Sequence, residues 1–176
     1  GTGDWSSDVC SSDLPSVLSV DHFNTLFDHI EANICLSLSG ERTCEVSPES
    51  ISRAKLLGLK QRGINRISMG VQSLISDVLN KEGRPFASLE RIREIATWVS
   101  ELGFFDFNTD LMIGLRGDTG LGTIQSFIDL AKLKIPSITL YVRRTIPEIA
   151  STRAPSIGPS ECVDVVTHIS EIAPDY

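Results

Sequence analysis

What most constrains this 176-residue chain is a regular beat of short β-rich runs and helical runs. TCEV (43–46), INRISMGV (64–71), FFDFNTDLMIG (104–114) and SITLYV (137–142) read as strands, and a helical pattern fills each gap between them. Strand and helix in even alternation predict βαβ units, a parallel sheet, and helices on one outer side. A complete eight-stranded α/β barrel takes about 250 residues, so a chain of this length holds part of a barrel or an open α/β sheet.

The helical segments carry their own punctuation. DHFNTLFDHIEA (21–32) sets Phe23, Leu26, Phe27 and Ile30 on one face. Ser47 and Pro48 read as N-cap and first position of a helix running through ISRAKLLGLKQR to Gly63. SLISDVLNKEG closes at Gly83, Ser88 caps SLERIREIATWVSEL, and GTIQSFIDLAKLK is helical. Beyond Arg143 a Pro- and Ser-rich stretch reads as loop, followed by a last short helix, ECVDVVTHISEI.

Composition closes off several classes. Hydrophobic residues make up 41% and charged residues 22%, as in ordinary globular proteins. A net charge of −7 argues against nucleic-acid or anionic-membrane partners, and no apolar run is long enough to cross a bilayer. Cys10, Cys35, Cys44 and Cys162 lack metal-site spacing, and with no secretory signal the expected setting is the reduced cytoplasm. His22, His29 and His168 read as solvated or capping residues. The opening GTGDWSSDVCSSDL has no hydrophobic period, and its DWSSDVCSSDL string resembles a sequencing adapter translated into coding sequence. The expected organisation is a non-native leader (1–14), a core (15–145), and a loop with a short helix leading onward (146–176).

In parallel α/β folds chemistry gathers at the carboxyl ends of strands. Glu45, Gln72, Arg84 and Asp110 fall there. Singly, each has an ordinary reading as a cap, a turn residue or a solvated charge. Together they suit a zwitterionic ligand carrying a ribose: a carboxylate takes an amine or a pair of hydroxyls, and a guanidinium clamps a carboxylate.

The same residues carry a family resemblance. GINRISMGVQS, then L-x-x-x-GR from Leu79 to Arg84, then NTDLMIGL, is similar to the radical S-adenosylmethionine enzymes, and most of all to the oxygen-independent coproporphyrinogen III oxidase group. EVSPES resembles that group's E-x-x-P segment, and PSVLS the part following its Gly-Gly-Thr-Pro motif. The resemblance covers about residues 15–145 and implies an α/β fold, a partial parallel (β/α)6 barrel missing its first βα unit. It implies S-adenosylmethionine on a 4Fe-4S cluster held by a C-x-x-x-C-x-x-C loop, with an electron donor such as flavodoxin or ferredoxin. Reductive cleavage then gives a 5′-deoxyadenosyl radical that acts on a porphyrin-type or other organic substrate. Carried over position by position, Glu45 and Arg84 match contacts to the methionyl part, Gln72 and Asp110 to the ribose side, and Met112 to the adenosyl group.

Departures from the pattern are specific. The cluster loop would lie upstream of residue 15, and Leu14 stands at the Thr of Gly-Gly-Thr-Pro. Phe86 fills the His of GR-x-H, Arg116 the Pro of DL-x-x-GLP, and Asp118-Thr119 the following Q-T. These changes point to a divergent relative: a non-catalytic haem chaperone with the same domain, a haem-degrading methyltransferase, or a methylating or cyclopropanating enzyme of natural products. The 176-residue chain by itself is expected to hold no cluster and to be inactive.

Overall fold

The computed structural model describes residues 14–34, 40–143 and 157–175; the leader read from the sequence up to residue 13, Cys10, Cys35 and the Pro- and Ser-rich stretch 144–156 lie outside them. Four strands, β1 (Thr43–Val46), β2 (Arg66–Gln72), β3 (Asp106–Ile113) and β4 (Ser137–Val142), form a sheet in the order β1-β2-β3-β4. Every neighbouring pair is parallel, as the alternation predicts. The strands are joined through helices α2 (Arg53–Gln61), α3 (Ser76–Lys81), α4 (Leu89–Glu101) and α5 (Gly120–Ala131). Helix α1 (Val20–Asn33) precedes the sheet and α6 (Pro159–Ile172) follows it. Because each strand is added on the same side of the last, right-handed crossovers put their helices on one face.

That face is apolar. Val46, Ile67, Met69, Val71, Phe107, Leu111 and Ile113 are buried in one cluster with Leu56 and Leu59 of α2, Ile92, Ile95 and Val99 of α4, and Phe127 and Leu130 of α5. Positions 92, 95 and 99 repeat at helical spacing on the inner stripe of α4, whose Ser88 side chain accepts from the Arg91 N–H as the sequence predicts. Helix α6 joins the same cluster through Cys162, Val165 and Ile169. A Cβ on Gly120 at the start of α5 would stand 2.8 Å from Val165, so the contact needs a glycine.

Two local readings change. The helix after β1 starts at Arg53 with Ser52 as its cap, not at Ser47 and Pro48. The Ser47 carbonyl accepts the Ser50 and Ile51 N–H groups in a turn, and its hydroxyl pairs with that of Ser50. Arg91 donates to the carbonyls of Pro48 and Ile51, and Lys55 to those of Ser16 and Ser50. Tertiary donors thus take carbonyls that a helix would have bonded internally. In α1, Phe23 and Phe27 stack at 4.6 Å between ring centroids, but Leu26 is 43% exposed and leaves the predicted face.

Candidate functional site

The opposite face of the sheet is polar, and its composition follows from strand period and register. In-register partners in a parallel sheet share a face, so Glu45, Ser68, Asn108 and Ser137 make one cross-strand row. Gly70, Asp110 and Thr139 make the next row towards the carboxyl ends, and Met112 lies one step further beside Tyr141. All-parallel sheets usually bury both faces behind apolar side chains. Here one face instead carries amides, hydroxyls and carboxylates.

Asn108 is the hub of this face. It is 1% exposed, and its amide nitrogen donates to the Ser68 hydroxyl at 2.9 Å and to Asp110 Oδ1 at 2.7 Å. Its carbonyl oxygen accepts from Ser137 at 3.0 Å and from Thr139 at 2.9 Å. Ser68 in turn donates to Asp110 Oδ2 at 3.4 Å. Burial pushes the Asp110 carboxyl above its ordinary range; the hydrogen bonds from Asn108 and Ser68 and the charge of Arg66 pull against that and only partly offset it. Arg66 is anchored lower on the same face by Asp106 at 2.9 Å.

Gln72 reaches this face by an unusual route. Its φ is +66°, and the Ser73 N–H bonds to the Val71 carbonyl at 2.8 Å, closing a γ-turn of the rare, strained kind. The ladder shifts register between Gly70 and Gln72. The turn folds the Gln72 side chain back, so its Nε2 would lie 2.8 Å from a Cβ built on Gly70. That missing Cβ points to the face holding Asp110, the in-register partner of Gly70. The Gln72 amide therefore stands beside the Asp110 row and fills the space above Gly70, which only a glycine leaves for it.

Helix α3 walls the carboxyl end. Its Val78 and Leu79 pack with Leu115, and Ile75 and Met112 complete this small cluster. At its end, Gly83 N–H to the Asn80 carbonyl and Arg84 N–H to the Leu79 carbonyl form a Schellman motif, with Gly83 at φ +67°. Beside Arg84, the Glu82 carboxylate accepts the Arg116 N–H at 2.7 Å and Nε at 3.3 Å, and pairs with the Arg143 guanidinium. Arg116 follows β3 and Arg143 follows β4, so the 82–84 segment lies over the ends of both strands. Burial raises the Glu82 carboxyl, but the Arg116 N–H and the Arg143 guanidinium outweigh it and hold the group below its ordinary range.

Glu45, Gln72, Asp110 and Met112 thus share the polar face, and Arg84 stands on its rim. Sequence reading missed Asn108, Ser68, Ser137 and Thr139, which build the floor, and Glu82, which ties the rim. Asp118, noted from the sequence as a departure, is buried and accepts from the Gly114 N–H and the Thr123 hydroxyl; it shapes the β3–α5 loop.

These groups fit a ligand with amine, carboxylate and diol: acceptors on Glu45 and Asp110, a guanidinium, and an amide seated over Gly70. They do not fit a cluster. Cys44 lies on the helix-covered face, and burial together with the Glu45 charge pushes its thiol up to about 11. Burial likewise raises the Cys162 thiol, and no three His, Cys, Asp or Glu side chains converge as metal ligands among the described residues. A cavity of about 490 Å³ opens at the other end of the strands, against Ser100, Phe104, Phe105, Leu133 and Lys134. It touches none of the residues just described on the polar face above Asp106, and chemistry in parallel α/β folds sits at the opposite end.

No family model matches the chain. It is 31% identical over 150 residues to the haem chaperone HemW of Escherichia coli, covering 84% of this chain and 39% of that protein. Over 103 residues it is 30% identical to the oxygen-independent coproporphyrinogen III oxidase of a Synechocystis species, covering 57% of this chain and 22% of that protein. Among solved structures it resembles coproporphyrinogen III oxidase HemN from Escherichia coli, a radical SAM enzyme, with a TM-score of 0.80 and 23% identity over 92% of this chain and 38% of that one. The chain spans well under half the length of these relatives.

Proposed function

Because the chain is a homologue of HemW and of the oxygen-independent coproporphyrinogen III oxidases, with the fold of radical SAM HemN, we propose that its polar sheet face binds S-adenosylmethionine. The observation that carries this reading is the buried Asn108 amide and the Ser68 hydroxyl holding Asp110 beside the Gln72 amide, which is seated over Gly70. Glu45 takes the methionyl amine and Arg84 the carboxylate, each by a charge-assisted bond. Asp110 accepts from the ribose hydroxyls, which requires it ionised, and Gln72 donates and accepts on the same side. Met112 offers a polarisable apolar surface to the adenosyl group. When bound at a 4Fe-4S cluster, this cofactor supplies a 5′-deoxyadenosyl radical by reductive cleavage. The share of this chain is to orient the cofactor and keep water from its face.

The substrate proposed for the whole protein is a porphyrin-type or haem molecule, with electrons from a flavodoxin- or ferredoxin-like donor. A second reading, a haem chaperone built on the same domain, is favoured by the longer match to HemW than to the oxidase. Calorimetric titration with S-adenosylmethionine tests the site: Asp110→Ala and Gln72→Ala, placed in an intact protein of the relatives' length, should each weaken binding, and unchanged affinity in both refutes it. Haem and coproporphyrinogen III titrations of an intact protein of the relatives' length separate the readings: the chaperone should bind haem and leave coproporphyrinogen III unchanged, and the oxidase should convert coproporphyrinogen III under reducing anaerobic conditions.

A further inference from the structure

We propose that Asn108 is the positioning residue of this site, a buried amide that aims the Asp110 carboxylate at the ligand; the inference deepens the S-adenosylmethionine reading and its ligand arm rests on it. Asn108 cannot meet a ligand itself. Both its N–H donors are spent, on Ser68 and Asp110, and both carbonyl lone pairs are spent, on Ser137 and Thr139. Its influence must pass through a neighbour, and only one of the four, Asp110, is a charged group.

The orientation of the amide is dictated by that charge. An ionised carboxylate only accepts, so the nitrogen of Asn108 must face Asp110; turned over, its carbonyl would face a carboxylate oxygen at 2.7 Å. The hydroxyls of Ser137 and Thr139 then have one place to donate, the opposite end of the amide. The four hydrogen bonds of Asn108 thereby lock β2, β3 and β4 into one arrangement around one carboxylate.

Asp110 is held at both oxygens, Oδ1 by Asn108 and Oδ2 by Ser68. This fixes the plane of the carboxylate, a torsion that is otherwise broad. Asp110 is only partly buried, so its remaining lone pairs look onto the open face. A vicinal diol asks for two acceptors at a set spacing and angle, and a carboxylate clamped at both oxygens from below presents them. The same donors oppose the effect of burial on the group, so the clamp also favours its ionised form.

The test pairs two readouts on the full chain: the Asp110 carboxyl titration by carbon NMR, and calorimetric affinity for S-adenosylmethionine from acid to neutral pH. Asn108→Ala should move the Asp110 midpoint upward and weaken binding about tenfold, the scale of one charge-assisted hydrogen bond, with the loss growing as pH falls. Ser68→Ala, which removes the longer bond and disturbs packing less, should move both in the same direction by less, and it decides the matter if Asn108→Ala does not fold. An unmoved Asp110 midpoint in both variants overturns the inference, whatever happens to stability. A midpoint that moves as stated in a chain that binds no S-adenosylmethionine upholds the positioning of Asp110 and overturns the ligand reading instead.

Discussion

Asn108 and Thr109 are neighbours on β3, both are essentially without solvent contact, and they point to opposite faces of the sheet. Asn108 satisfies all four of its hydrogen-bonding positions. Thr109 faces the helices among aliphatic side chains, and its hydroxyl has no partner. One face is built as an apolar core that tolerates a wasted hydroxyl; the other is built as a polar lattice in which every group of the hub is used. The difference teaches where stability and specificity reside: the helix-covered face holds the fold, and the bare face holds a geometry.

The comparison predicts a division of effects, and the largest belongs to the core. Ile67 is fully buried on the helix side. Ile67→Ala should lower unfolding free energy by about 2–5 kcal/mol in a denaturant titration, through lost transfer energy and a residual cavity. If the faces are separable, ligand affinity of the folded variant stays near wild type. A proportional fall in both would break the division.

Asp110→Asn should reverse that pattern. Affinity for S-adenosylmethionine should drop tenfold or more, about 1.4 kcal/mol or above, while stability at neutral pH is held or raised. The sign follows from the raised carboxyl. A group with a higher midpoint folded than unfolded favours the folded state most when protonated, and stability is lost as pH rises through that interval. The Asn variant should lack this loss; because burial raises Asp118 in the same direction, the difference between wild type and variant isolates Asp110. Binding has the opposite slope: wild-type affinity should decline as pH falls through the raised Asp110 midpoint, above the usual carboxylate range, and the variant should be flat. Parallel pH profiles for the two proteins would remove Asp110 from the site.

Much of this was legible in the sequence, and what was not has a common cause. All four strands, their parallel order and the stripe on α4 follow from local period and caps. Glu45, Gln72 and Asp110 were singled out because strand ends are where to look, and all three lie on the polar face. The floor was missed because Asn108, Ser68, Ser137 and Thr139 become neighbours only through register, across separations of 29 to 40 residues. Glu82 was missed for the same reason, since its partners lie 34 and 61 residues away. The start of α2 was misread because Arg91, far along the chain, takes the carbonyls of Pro48 and Ile51. No residue propensity announces a γ-turn at Gln72, where a non-glycine residue at positive φ is held by its surroundings.

Thr109→Val sharpens the contrast from the other side. Replacing an unpartnered hydroxyl by a methyl in an apolar layer should stabilise by about 1 kcal/mol, the low end of the cost of burying such a group unpaired. Affinity for the ligand should not move. A destabilised variant would mean the hydroxyl is in use, and that the helix-side face is less simple than its side chains suggest.

The smallest effect should come from Gln72→Gly, and it bears on why the strain is there. At φ +66° a residue with a Cβ carries a penalty that glycine escapes, so relief of strain favours the variant by up to about 1–2 kcal/mol. Glycine also gives the unfolded chain more freedom, which takes back roughly 0.5–1 kcal/mol. The net should be a gain of a few tenths of a kcal/mol to about 1 kcal/mol in denaturant unfolding. On the proposed reading the strain serves the ligand, because the turn delivers the Gln72 amide over Gly70, beside Asp110. The variant should therefore be slightly more stable and bind S-adenosylmethionine more weakly, by a smaller factor than Asp110→Asn, since a neutral amide contributes less than a charged acceptor. A variant that is more stable and binds as well as wild type would mean that the strained turn serves the path of the chain into α3 and not the ligand.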